Sequence, residues 1–248
     1  MKKKLGTVVF LTLVFFIFAT SAISFELTSS DNDQPQDYSS IKATTFENEY
    51  MEENTLQGMD LSALQSMNRD ATGWLEVSGT SVDCPIMDSE KYRDKDFLGA
   101  NNKSGTPYLG NGSNLTKEKW NSTIYGSNQN TGDTFADLER YAEESFWQNN
   151  NAFNVWTENG ETNYQIFAVV QLDDPKATGS GSKAADYTQF TDLSDQTTCN
   201  EFLAQIKAHQ LYDTKVEPKY GDTFVTLSTY KDTSNDQPIL VFAKQSTT

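Results

Sequence analysis

At 248 residues with a formal net charge of −16, the chain has room for one domain of ordinary size plus an N-terminal extension. Its acidic field disfavours nucleic acid and anionic polymers as partners. Two cysteines and one histidine are too few for a four-ligand structural zinc site, and no P-loop, Gly-rich dinucleotide turn, HExxH or GxSxG pattern is present, so neither a metal nor a cofactor is expected.

The chain opens with Met1-Lys-Lys-Lys4 and then runs without charge, mostly apolar, over residues 8–25. A basic start before such a run reads as a signal peptide or a signal anchor. Ala19-Thr20-Ser21-Ala22 offers small residues for cleavage, while the length approaches the roughly 20 residues that span a bilayer. Lysines on the N-terminal side would hold that end in the cytoplasm and place the rest on the extracellular face of the membrane. No cysteine follows the run, which leaves a lipoprotein reading without support. Residues 26–54 are dominated by Ser, Asp, Asn, Gln and Glu and read as a flexible linker, with a domain expected over 55–248.

Leu56, Leu61, Leu64 and Met67 form an approximate helical stripe that predicts a short helix ending near Asn68. Strands are expected at 73–77 and 81–86, joined by a turn at Gly79-Thr80, and shorter ones at 107–109 and 122–125. Thr134 and Asp137 suit a helix start, with Phe135, Leu138, Tyr141 and Phe146 following at helical spacing. Asn159-Gly160 predicts a type I′ hairpin between strands at 153–157 and 164–172. A Gly/Ser/Lys-rich loop occupies 175–185. A helix over 195–209 then places Cys199, Phe202, Leu203 and Ile206 on one face, with Thr198-x-x-Glu201 as a capping box. Strands at 223–230 and 239–244 close the chain. This pattern predicts a mainly β fold: a small β-barrel with a short N-terminal helix and a helix inserted before the penultimate strand.

Several segments match one family in order and spacing. Asn68-Arg-Asp-Ala-Thr-Gly-Trp74 resembles NPDTVGW, and Val82-Asp-Cys-Pro-Ile86 resembles IDYPV. Tyr125-Gly-Ser-Asn128 with Phe135-Ala-Asp-Leu138 resembles YGHN followed by MFGDL. Asp222-Thr-Phe-Val-Thr-Leu-Ser-Thr-Tyr230 resembles DKILTLSTC. The chain thus resembles the sortases, and the helix inserted before the last strand pair resembles class B. The resemblance implies a cysteine transpeptidase fold in which a thiolate attacks a sorting-signal peptide, a histidine protonates the leaving amine and an arginine stabilises the developing charge. At those three positions this chain has Tyr230, Ser127 and Pro238, or Gln237 with a one-residue slip. The implied groove residues are Tyr125, Asn128, Leu227, Ser228 and Thr229.

Substitute chemistry is hard to assemble from these residues. A phenol with a pKa of about 10 is about 0.1% ionised at neutral pH, and no cation adjoins Tyr230 on its strand. The hydroxyls of Ser127, Ser228 and Thr229 need a base, and His209 falls at the end of a helix away from the motif. Cys84 reads as a strand residue, with a displaced nucleophile as the alternative; Cys199 reads as core. A disulfide between them is permitted outside the membrane if their Cα atoms lie within about 7 Å. Asp173-Asp174 reads as a solvated turn. The expected function is a catalytically inactive, sortase-like accessory or binding module in surface-protein or pilus assembly of a Gram-positive cell. Its expected partners are a sorting-signal-like peptide or a surface or pilin protein, with the membrane contacted through the N-terminal segment. The alternatives are an active transpeptidase or hydrolase with non-standard groups, and a structural wall-exposed spacer.

Overall fold

The computed structural model describes residues 36–46, 58–128, 134–172, 187–230 and 237–246. The signal segment, most of the expected linker, Leu56, Asp173-Asp174 and the 175–185 loop lie outside the described residues. No helix among the described residues is long and apolar enough to cross a membrane.

Eight strands close a barrel: β1 (Ala71–Val77), β2 (Asp83–Met87), β3 (Tyr108–Leu109), β4 (Asn121–Ser127), β5 (Ala152–Thr157), β6 (Gly160–Gln171), β7 (Phe224–Tyr230) and β8 (Ile239–Gln245). Around the barrel the order is β1-β2-β3-β4-β7-β8-β6-β5, and β5 pairs back on β1. Most neighbours are antiparallel, whereas β4 and β7 run parallel. Short strands with alternating burial produce this architecture because closure leaves no strand edge unpaired. The mainly β barrel read from the sequence is what forms.

Both faces of the later strands are covered, so they are buried throughout rather than on alternate residues. Val225 and Leu227 of β7 and Val241 and Ala243 of β8 point into the barrel core. Phe224, Leu240 and Phe242 point outward into a second apolar layer with Phe190, Cys199, Phe202 and Ile206. Helix α4 (Gln196–His209) supplies the outer cover. Its cap is Asp195, whose carboxylate accepts from the Thr198 amide at 2.9 Å. The expected Thr198–Glu201 box does not form, because Asp195 caps the helix three residues earlier.

Three further local expectations change. The helix expected from Thr134 onward is a 3₁₀ segment, Ala136–Ala142, followed by the short α3 (Glu144–Asn149), because Glu143 adopts an extended backbone between them. In the β5–β6 turn only Gly160 takes a positive φ, 92°. Asn159 does not, so the turn is not type I′ but one whose last residue is left-handed.

Within the stretch expected to be flexible linker, Ser39–Thr45 forms helix α1 and packs on the domain. Lys42 Nζ reaches Glu76 at 2.9 Å and Asp83 at 2.7 Å. The other Asp83 oxygen accepts from Trp74 Nε1 at 2.7 Å. Phe46 lies edge-on to Trp74 and Trp156 with ring centroids 5.6 and 5.4 Å away. Helix α2 (Leu61–Met67) follows with Asp60 as its cap.

Candidate functional site

The site is built on the parallel pair β4 and β7. Their register sets Tyr125 beside Ser228 and Ser127 beside Tyr230. Two positions separated by most of the domain in sequence thereby become strand neighbours. Register-matched residues on paired strands share a face, so Ser127 and Tyr230 stand on the same side of the sheet. The β7–β8 register runs from Phe224↔Lys244 to Ser228↔Leu240, and its continuation sets Pro238 across from Tyr230. All three degenerate positions meet at one end of the β4–β7–β8 surface.

The Tyr-Gly-Ser-Asn turn has a packing reason for its glycine. The Phe135 ring lies against Gly126, so a Cβ there would collide with it. Phe135 also donates its amide to Ser127 O at 3.1 Å. Ser127 is buried, with 1% exposure, so its hydroxyl is withheld from a bound ligand. Asn128 donates its amide to Tyr230 O at 2.9 Å and its side chain to Glu139 at 2.6 Å.

Tyr230 is anchored by a residue that the motifs did not single out. Its hydroxyl donates to Arg93 O at 2.8 Å, and the Arg93 guanidinium lies 4.4 Å from its ring centroid. Arg93 follows a 3₁₀ turn, Glu90–Tyr92, between β2 and β3. The sequence offered no cation beside Tyr230 because this one arrives from a different element, 137 positions away. Nothing in periodicity or composition marks it.

A cleft of about 470 Å³ opens at this point, lined by Glu90, Arg93, Tyr108, Tyr125, Thr191 and Tyr230 among others. Tyr108 stacks on Tyr125 with centroids 5.6 Å apart and an interplanar angle of 27°, and it lies 6.2 Å from the Tyr230 ring. Of the five expected groove residues, Tyr125 lines this cleft. Ser228 shares its face but is covered by Tyr187, whose hydroxyl lies 3.0 Å from Ser228 Oγ in a buried contact. Leu227 faces the barrel core, because side chains alternate along the strand. Thr229 accepts the Ile239 amide at 2.9 Å and is buried. Asn128 is held by Glu139 outside the cleft wall.

The other nucleophile candidates sit elsewhere. Cys84 and Cys199 are both free and fully buried, in separate apolar layers. Burial pushes the Cys84 thiol well above its ordinary value, and the neighbouring Asp83 charge adds to this. A displaced Cys84 nucleophile is therefore ruled out by access and by protonation, and the permitted disulfide is not formed. His209 is exposed at the end of α4, its Nδ1 2.8 Å from Gln205 O. No group of three or more His, Cys, Asp or Glu suited to a metal occurs among the described residues.

No family model matches the chain. It is 30% identical over 185 residues to Sortase B of Listeria monocytogenes, covering 71% of this chain and 69% of that protein. It is 24% identical over 187 residues to Sortase B of Staphylococcus aureus, covering 73% and 72%. Among solved structures, the Staphylococcus aureus sortase B–substrate complex superposes with a TM-score of 0.67 at 23% identity, covering 75% of this chain and 84% of that one.

Proposed function

The chain belongs to the sortase B family, and from that premise we propose that it is a catalytically inactive member, retaining a peptide-binding cleft and serving as an accessory or binding module in surface-protein or pilus assembly. The observation that carries this reading is the convergence of Ser127, Tyr230 and Pro238 at one end of the β4–β7–β8 surface. The family's chemistry needs a thiolate, an imidazole and a guanidinium there. A buried serine, a phenol already donating to a carbonyl and a proline supply none of them. Fold and catalysis are separable, so the barrel can persist without the triad.

The solved substrate complex of a relative supports a peptide as the ligand class. Residues 1–25 would act as signal anchor or signal peptide, placing the domain over 55–248 on the extracellular face, and residues 26–54 would span the distance from the membrane with α1 docked on the barrel.

The reading is tested by incubating the purified protein with fluorogenic sorting-signal peptides and an amine acceptor. Binding without turnover is expected. Turnover above the protein-free control, abolished by Tyr230→Phe or Ser127→Ala, would sink it. Combining Ser127→His, Tyr230→Cys and Pro238→Arg should bring a thiol within reach of an imidazole and make residue 230 sensitive to alkylation.

A further inference from the structure

The cleft beside Tyr230 is specific in its chemistry as well as its shape. Arg93 is the one cation among the residues lining it. Its guanidinium is stacked on the Tyr230 ring at 4.4 Å, and the main chain of the same residue is fixed by the Tyr230 hydroxyl at 2.8 Å. Stacking of this kind orients the planar guanidinium, and its N–H fork matches a carboxylate in two-point fashion. A carboxylate already stands nearby: Glu90 Oε1 is 4.0 Å from Arg93 Nη1, beyond hydrogen-bond distance, with a side chain 77% exposed. An exposed pair at that separation is weak and replaceable. The stacked Tyr108–Tyr125 pair forms an aromatic wall, while Asn111, Ser113, Thr123 and Thr191 add amide and hydroxyl groups.

We propose that this cleft binds a short peptide through a carboxylate held by Arg93, with the remainder of the ligand laid on Tyr108 and Tyr125. The proposal rests on the peptide-binding reading above and specifies which end or side chain is recognised. With the whole molecule at −16, a run of acidic groups is repelled, so the ligand carries a single carboxylate rather than a polyanionic tract. That carboxylate belongs either to a chain terminus or to one Asp or Glu side chain.

The test is a titration of the purified protein, followed by NMR of the Arg93 side chain and the Tyr230 ring. Three probes are used: N-acetyl-Ala-Thr with a free carboxylate, its C-terminal amide, and N-acetyl-Ala-Asp-amide. Saturable shifts are expected from at least one of the two carboxylate probes, binding about 10-fold or more tighter than the amide. Which of the two binds decides between terminus and side chain. Arg93→Gln should reduce the carboxylate probe to the level of the amide. The variant should fold, since Tyr230 bonds the main-chain oxygen of that residue. Glu90→Gln should tighten binding about 2- to 5-fold by removing the competing carboxylate. Equal binding of acid and amide, or no shift from either carboxylate probe up to about 50 mM, overturns the proposal. If longer amidated peptides bind along the cleft with no preference for a carboxylate, the peptide-binding reading survives and this one fails. If no peptide of either kind binds, both fail.

Discussion

At Tyr230 the ring and the hydroxyl act separately. The hydroxyl ties the 90–93 turn to the end of β7, and the ring presents a face to the Arg93 guanidinium. Replacing the family's cysteine with tyrosine thus adds a structural tie as well as removing a thiol. Tyr230→Phe keeps the ring and removes one hydrogen bond to a carbonyl, which costs about 1 kcal/mol. Urea denaturation should show that loss with an unchanged m-value. An equal or higher midpoint would mean that the bond contributes nothing. The substituted motif positions were legible in the sequence because Thr226-Leu-Ser-Thr-Tyr230 and Tyr125-Gly-Ser-Asn128 keep their surroundings. Arg93 was not, since a contact across 137 positions leaves no local pattern. Leu227 and Thr229 were read as groove residues from motif membership alone, whereas strand alternation turns both away from it.

Among the elements, α1 shows the limits of composition. Its polar sequence reads as linker, yet one lysine and one phenylalanine dock it on β1 and β2. The two contacts differ in strength. The Lys42 pairs are partly exposed, with 31% of that side chain accessible, so Lys42→Ala should cost under about 1 kcal/mol and less still at high salt. Phe46→Ala removes edge-on packing against two indoles and should cost about 1–3 kcal/mol. Thermal melts at low and high salt should rank them in that order, and the reverse ranking would mean that charge holds the helix.

The segment leading from α2 to the Arg93 turn also carries a pH response. Asp70 is held below its ordinary value of 3.8, first by the Lys91 hydrogen bond and then by that from the Tyr92 hydroxyl. A carboxyl depressed by folding contributes stability that is present above its unfolded value and lost as pH falls through the folded one. Asp70→Asn should therefore lower the melting temperature at pH 6 and flatten its fall below about pH 4. A fall as steep as in the parent chain would remove Asp70 from the account.

On the scale of the whole molecule, the barrel was legible because short strands and turn residues recur along the sequence and the motifs fix their order. The two apolar layers explain why burial on β7 and β8 is continuous rather than alternating, a pattern that on its own does not separate a strand from a buried helix. Where local signals competed, the winner was decided by packing: Asp195 over Thr198 as a cap, and a 3₁₀ turn over a helix after Thr134.

The parallel β4–β7 pair also bears on how the protein folds. Its strands are joined by contacts such as Thr226 to Asn121, 105 positions apart, and a parallel pair cannot form by zipping a hairpin. Such contacts carry a large loop-closure cost before they return any stability, which places the domain among the slower folders, in the millisecond-to-second range. A fluorophore and quencher at positions 127 and 230 would therefore time the closing of the barrel itself, because those two residues meet only when the strands that carry them have found each other.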